Sequence, residues 1–149
     1  MVRAITLLLL ISPLSFAGDN STTIITKGTN NQITTKQIGN GNTTYILCGA
    51  NSGGTITGAT YSSHSCTNAT WSSTVEGNSN TVKMYTVWSN NIGNSSTITI
   101  DGNDNYAYID QDEDDNTVTV TQTGNDNHSE SLGSGDDNVY STTQTGNNK

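Results

Sequence analysis

An eleven-residue repeat governs this sequence and limits the folds that it can adopt. Four consecutive units fill residues 106–149, and the same frame fits residues 21–31, 32–42, 43–53, 70–80, 81–91 and 95–105. Residues 54–69 and 92–94 interrupt this frame as insertions. One such unit is too short to bury its own apolar face, so ten units of one length predict a stack of repeated supersecondary units.

Each unit predicts one strand followed by one tight turn. In residues 117–123, Val118 and Val120 alternate with threonines, which is the period of a half-buried strand. The Gly-Asn-Asp-Asn of residues 124–127 is typical of a turn, because glycine and asparagine tolerate positive φ. Two units would form one rung. The sequence therefore predicts an all-β fold, a β-solenoid of about five two-strand rungs that can stack into cross-β fibres.

Equivalent side chains of such a stack lie above one another, because rungs repeat at about 4.8 Å. Buried amides then hydrogen-bond along the stack, as in cross-β structures. We expect a structural ladder made of Gln37, Gln111, Gln122, Gln144, Asn31, Asn42, Asn80, Asn91, Asn105, Asn116, Asn127 and Asn138. We expect turn glycines at Gly28, Gly39, Gly77, Gly102, Gly124, Gly135 and Gly146.

Residues 1–17 have the features of a secretory signal peptide. Arg3 gives a basic start, residues 4–14 are mostly apolar, and Ser15 and Ala17 are small residues before the expected cleavage site. The apolar run is too short to span a bilayer, so we expect no membrane span. We expect cleavage after Ala17, which leaves residues 18–149 as one solenoid domain with the insertion 54–69.

Composition and charge exclude several classes of function. Hydrophobic residues make up only 30% of the chain, but β-branched residues are frequent, which favours strands over disorder. The net charge is −8, and eleven of the thirteen acidic residues lie between Asp101 and Asp137, where there is no lysine or arginine. Recognition of phosphates needs a basic surface, so we expect no nucleic-acid partner.

The glutamine, glycine and asparagine spacing resembles that of a known family. Residues 37–42 and 122–127 both have the pattern Gln-x-Gly-x-x-Asn, which is similar to the curlin repeat of curli fibre subunits. Residues 111–116 keep Gln111 and Asn116 but carry Glu113 in place of the glycine. The resemblance implies a structural subunit of an extracellular amyloid fibre on a bacterial surface, with roles in biofilm and adhesion. It implies as partners other copies of the chain, a related nucleator or major subunit, and a curli-type outer-membrane secretion channel.

The two ends of the repeat array predict how copies would join. The first unit begins at Ser21 and the tenth ends at Lys149, with no atypical capping repeat at either side. Both ends would present unpaired strand edges that are complementary rather than identical. Such a contact does not close on itself, so we expect head-to-tail polymerisation into a filament.

Few residues are candidates for chemistry. Cys48 and Cys66 are the only cysteines, and an even pair in an exported protein most often forms a disulfide; free or metal-bound thiols are the alternative. His64 and His128 have no acid and serine at a fixed spacing, and the acidic residues 110–115 lack the glycine and final glutamate of a calcium loop. We expect no enzyme activity, catalytic residue, metal or cofactor.

Two other functions compete with the fibre. Outward threonines in Thr-x-Thr spacing, as in residues 117–121, resemble the regular faces of ice-binding β-solenoids. The units that begin at Tyr106 and His128 lack this spacing, which disfavours ice binding. A stalk of a non-fibrous adhesin is the third hypothesis, but the chain is short for that role. Fibre formation by the purified chain would separate these functions.

Overall fold

A computed structural model describes residues 18–26, 28–48, 66–86 and 91–148. The predicted signal peptide and residues 49–65 lie outside the described residues. Within them the chain forms thirteen strands and no helix. The strands are β1 (Ser21–Thr26), β2 (Gly28–Thr29), β3 (Gln32–Ile38), β4 (Thr43–Cys48), β5 (Cys66–Thr67), β6 (Thr70–Glu76), β7 (Thr81–Thr86), β8 (Asn91–Ile92), β9 (Ser95–Asp101), β10 (Tyr106–Gln111), β11 (Thr117–Thr123), β12 (His128–Gly133) and β13 (Val139–Thr145).

The strands form two five-stranded parallel sheets. Sheet I has the order β1-β4-β7-β10-β12, and sheet II has the order β3-β6-β9-β11-β13. Each strand pairs in register with the equivalent strand of the next rung, as when Thr117 pairs with Val139 and Tyr106 pairs with His128. The prediction of an all-β solenoid with five two-strand rungs is therefore confirmed.

The core lies between the two sheets and is filled by every second residue. In β11 the pattern alternates between partly exposed threonines and buried Val118, Val120 and Gln122. Trp71 is 1% exposed and is among the largest fully buried side chains. Several buried residues are polar, and two of them, Thr44 and Ser96, hydrogen-bond to Gln37 and Gln111, so the thin core depends on hydrogen bonds as well as on apolar contact.

Two corners per rung join the sheets. We call corner I the turns at residues 28–31, 66–69, 91–94, 113–116 and 135–138, and corner II the turns at residues 39–42, 77–80, 102–105, 124–127 and 146–148. In the third turn of corner II, Gly102 has φ +144° and Asp104 has φ +55°. A Cβ atom at Gly102 would overlap the carbonyl oxygen of Gly124 on the next rung. The Gly-Asn-Asp-Asn turn therefore meets two requirements, a glycine where rungs touch and a small polar residue at the second positive φ.

Corner I differs from the prediction. There β2, β5 and β8 form a short third sheet, in which Cys66 pairs with Gly28 and with Asn91. Residues 66–69 and 92–94, which the sequence assigned to insertions, are therefore part of the stack. Residues 49–65 and 87–90, which precede these turns in the sequence, lie outside the described residues. The entropic cost of a loop grows slowly with its length, so a corner tolerates inserted residues. The repeat length therefore does not show on which side of a turn the insertion lies, and the sequence assigned it to the wrong side.

Candidate functional site

The feature with the most organised chemistry is the set of amide columns that run the length of the stack. Four asparagines of corner II lie one above another and continue a column that begins at Asn20: Asn42, Asn80, Asn105 and Asn127. The Oδ1 of each of the first four members accepts the backbone N–H of the next, at 2.9 or 3.0 Å. Since the last four are at most 1% exposed, this column supplies buried backbone groups with partners.

The equivalent column at corner I is interrupted. The Oδ1 of Asn94 accepts the N–H of Asn116, and the Oδ1 of Asn116 accepts that of Asn138. The Oδ1 of Asn31 accepts the N–H of Ala69, which has no side-chain amide to continue the chain of bonds. The backbone register places Asn94 in this column, whereas the predicted ladder residue Asn91 pairs with Cys66 in the short sheet.

A second asparagine column lies on the outer side of corner II and was missed from the sequence. It consists of Asn40, Asn78, Asn103, Asn125 and Asn147. Here the direction of bonding is reversed, because each backbone N–H donates to the Oδ1 of the following rung, at 2.8 to 3.0 Å. Its signal was the asparagine that directly follows each turn glycine of corner II.

Aspartates occupy this outer position at corner I of the later rungs. The Oδ1 of Asp114 accepts the N–H of Ile92, and the Oδ1 of Asp136 accepts the N–H of Asp114. A carboxylate replaces the amide oxygen as an acceptor there. The acidic residues of this corner are therefore part of the backbone bonding, in addition to carrying charge.

The four glutamines share one contact, although they do not form one column. Gln37, Gln122 and Gln144 lie in sheet II, whereas Gln111 lies in sheet I. Each Nε2 donates to the carbonyl oxygen sixteen residues earlier: Ser21, Ser95, Tyr106 and His128 are the acceptors for Gln37, Gln111, Gln122 and Gln144. Because the acceptor opens the strand in the opposite sheet, each glutamine braces the two sheets across the core.

Only one pair of glutamines also bonds along the stack. The Nε2 of Gln122 donates to the Oε1 of Gln144 at 2.8 Å. The position of Gln37 in the register continues to Val75 and Ile100 before it reaches Gln122. The expected continuous glutamine ladder is therefore limited to the last two rungs of sheet II, because apolar residues fill the middle of the column.

The seven predicted turn glycines all have positive φ, between 89° and 144°. At corner II, a Cβ atom on Gly39, Gly77, Gly102 or Gly124 would overlap a carbonyl oxygen of the next rung. Glu113 occupies the same turn position at corner I with φ +69°, a strained conformation for a residue with a side chain.

Cys48 and Cys66 are joined by a disulfide, with 5.8 Å between their Cα atoms. Cys48 ends β4 in sheet I and Cys66 begins β5 in the short sheet, and both are at most 1% exposed. The bond therefore connects the second rung to its own corner I across residues 49–65.

The outer face of sheet I collects aromatic and charged residues. The rings of Tyr106 and His128 stack with centroids 4.6 Å apart, and Lys83 lies 5.2 Å from the Tyr106 ring. The Tyr108 hydroxyl donates to Asp110 at 2.9 Å. Burial raises the pKa of Asp110, against the opposing effect of that hydrogen bond, and burial next to Asp110 and Glu113 raises the pKa of Asp112.

These charged groups do not assemble a recognisable reaction centre within the described residues. Asp110 and Asp112 border a shallow pocket of about 170 Å³ with Leu132, Gly133 and Ser134. No group of three or more metal-ligating side chains is found in the described part of the chain. His128 contacts Glu130 at 3.2 Å on the exposed surface, and His64 lies outside the described residues.

In comparisons with known proteins, no family model, no curated protein and no solved structure matches this chain. Across residues 18–26, 28–48, 66–86 and 91–148, no helix is long and apolar enough to cross a membrane.

Proposed function

We propose that this protein is a self-assembling structural subunit of an extracellular, curli-like fibre. The proposal rests on the strand register. The register that pairs neighbouring rungs within the chain also allows the last rung of one copy to pair with the first rung of another. Tyr106 pairs with His128 and Thr117 with Val139, a shift of 22 residues in both sheets. If a second copy continued the stack beyond the fifth rung, the same register would pair His128 with its Ser21 and Val139 with its Gln32.

That register continues the columns of the molecule into the next copy. Gln144 would lie beside Gln37, as Gln122 lies beside Gln144 within the chain. Four turn positions also match by residue type, with Gly135 beside Gly28, Asn138 beside Asn31, Gly146 beside Gly39 and Asn147 beside Asn40. The contact between copies would therefore repeat the contacts between rungs, and little adjustment would be needed.

The end rungs also carry unused bonding capacity and apolar surface. Among the described residues, β12 and β13 at one end and β1 and β3 at the other each pair with a single neighbour. Leu132 and Val139 in the last rung are 66% and 79% exposed. In the continued register Leu132 would contact Ile25 of the next copy. Open strand edges that are complementary and do not close produce a filament.

The location and partners rest on the resemblance to curlin repeats described above. We place the fibre outside a bacterial cell, in the biofilm matrix, with a related nucleator and a curli-type secretion channel as further partners. Its action is structural and needs no catalytic group. The net charge of −8 would slow association of copies by repulsion, which salt screens.

A charge placed at the open end of the core tests the proposal. Thr142 is an inward residue of β13 and is half-buried, whereas Ser141 beside it points outward and is exposed. Thr142→Lys would bury an ammonium group between copies, so we expect it to abolish fibre growth. Ser141→Lys is the matched control and should assemble.

The measurement combines thioflavin fluorescence, seeding by fibres of the unmodified protein, and fibre diffraction. Folding of each variant monomer is checked first by circular dichroism. We expect fibres of the unmodified protein with a meridional spacing of about 4.8 Å. Equal growth of Thr142→Lys and Ser141→Lys, or stable monomers of the unmodified protein at every salt concentration, would refute the head-to-tail stack.

A further inference from the structure

The two sheets present different outer faces, because alternate units of the sequence fall on opposite sides of the solenoid. Sheet I carries the aromatic and charged outward residues, including Tyr106, Asp110 and Glu130. Sheet II carries the units in which Thr-x-Thr recurs. On the outer face of sheet II, Thr-x-Thr occurs in β9 and β11, whereas serine or lysine replaces one of the two threonines in β3, β6 and β13.

We call this surface the hydroxyl face. Its first central column contains Thr34, Ser72, Thr97, Thr119 and Ser141, which are paired in register from rung to rung. Its second central column contains Lys36, Thr74, Thr99, Thr121 and Thr143 in the same register. Nine of these ten positions carry a hydroxyl group. A flanking column adds Thr70, Ser95 and Thr117.

The hydroxyl face forms a regular two-dimensional lattice. Neighbouring rungs lie about 4.8 Å apart, and alternate residues of a parallel strand lie about 6.6 Å apart. Threonine has few χ1 rotamers, so its methyl and hydroxyl groups repeat with small variation. Buried Ile98, Ile100, Val118 and Val120 lie directly beneath and hold the strands in place.

Charge on this face indicates what it can bind. The two central columns contain one ionisable residue, Lys36, whose Nζ contacts Glu76 Oε1 at 2.8 Å near the end of the stack. From Ser72 to Thr143 the central columns are uncharged. An ionic ligand would find no partner there, whereas an uncharged ligand with a regular array of hydrogen-bonding groups would match the whole surface.

We infer that the hydroxyl face binds ice. The surface of ice is an uncharged, regular array of hydrogen-bonding groups, which is the kind of ligand that this face would match. Water held between fixed methyl and hydroxyl groups is already ordered, so joining it to a crystal costs little further entropy. This activity goes beyond the fibre role, since it requires a folded solenoid and not a polymer. A polymer in the continued register would extend the lattice.

The experiment measures inhibition of ice recrystallisation and thermal hysteresis with the freshly purified, unpolymerised protein. Thr119 is a central position of the hydroxyl face, and Thr119→Tyr would lift a ring above the lattice. Thr81→Tyr makes the same substitution on the outer face of sheet I and is the matched control. Thr119→Ser keeps the hydroxyl group, as Ser72 and Ser141 do in that column.

We expect ice growth to be inhibited by the unmodified protein, by Thr81→Tyr and by Thr119→Ser, with loss of inhibition in Thr119→Tyr. Circular dichroism and thioflavin assays of the same samples keep folding and assembly separate from ice binding. If folded, unmodified protein does not restrain ice, or if Thr81→Tyr loses as much activity as Thr119→Tyr, the inference is wrong, whether or not fibres form. A change in filament width alone, without an effect on ice, would show that the face pairs filaments and would also overturn the inference.

Discussion

The Nε2 of Gln122 donates to the Oε1 of Gln144 on the neighbouring rung, at 2.8 Å, and to the carbonyl oxygen of Tyr106 in the opposite sheet, at 2.9 Å. One buried amide thus connects two rungs and both sheets. Gln122 is fully buried, whereas Gln144 in the last rung is partly exposed. Polar bonds of this kind hold together a core with few large apolar side chains.

Replacement of Gln122 tests this role. Gln122→Leu removes the donor to Gln144 and Tyr106, and we expect the free energy of unfolding to fall by about 1 kcal/mol, since two partly buried acceptors lose their hydrogen bond. Thr121→Leu, on the outer face of the same strand, should change it by no more than about 0.5 kcal/mol. Urea unfolding of the monomer measures both. Equal losses of unfolding free energy in the two variants would mean that any leucine in this strand destabilises the protein, and that the Gln122 amide has no special role.

Glu113 provides a stabilising substitution. It adopts φ +69° at the turn position where corner II has glycines. Glu113→Gly should raise the free energy of unfolding by about 1 kcal/mol, because the left-handed conformation costs a side-chain residue about that much. Gly102→Ala should destabilise the protein, since its Cβ atom would overlap the Gly124 carbonyl oxygen. Thermal unfolding should show opposite shifts, and a fall in stability of Glu113→Gly would contradict the strain argument.

Stability should increase as the pH is lowered moderately from neutral. Burial raises the pKa of Asp110 in the folded protein, so the folded state binds its proton more tightly than the unfolded state does. Between the ordinary pKa of 3.8 and the raised pKa, stability rises as the pH falls. Burial also raises the pKa of Asp112, so its effect on stability has the same sign. The neighbours of Asp110 in the sheet are Tyr85, Tyr108 and Leu132.

Asp110→Asn should weaken this dependence, because the amide does not titrate. Asp126→Asn, at an exposed position of corner II, is the matched control and should leave it unchanged. Urea midpoints from pH 7 down to about pH 4 provide the measurement. A profile of Asp110→Asn that coincides with that of the unmodified protein would exclude Asp110 as the source.

The disulfide should stabilise the second rung. Cys48 and Cys66 are separated by 18 residues, and closing a loop of that length is worth about 3 kcal/mol through the unfolded state. The double variant Cys48→Ala, Cys66→Ala should unfold at lower urea concentration in oxidising buffer and be unaffected by reductant. The unmodified protein should lose stability on reduction. Mass spectrometry after alkylation without reductant should find no modified cysteine, and two alkylated thiols would contradict the bond.

The sequence by itself determined the local structure. Its eleven-residue period located the ten main strands and the corner II turns, although it assigned residues 66–69 and 92–94 of corner I to insertions. Its alternation determined that Val118 and Val120 face inward. The positions of Gly102 and Gly124 followed from the same pattern, because positive φ selects glycine locally. These features depend on neighbouring residues, so a single chain is sufficient to predict them.

Only the tertiary structure decided which residues share a column. Asn94 and not Asn91 continues the corner I ladder, because the extra residues of that rung precede the turn. Gln111 and Gln122 lie in opposite sheets, and the threonine units collect on sheet II, because two units make one rung and alternate units face opposite ways. The period is identical for both sheets, and a corner absorbs added residues at small entropic cost. Register and face are therefore set by the stacking of rungs, which the repeat length does not encode.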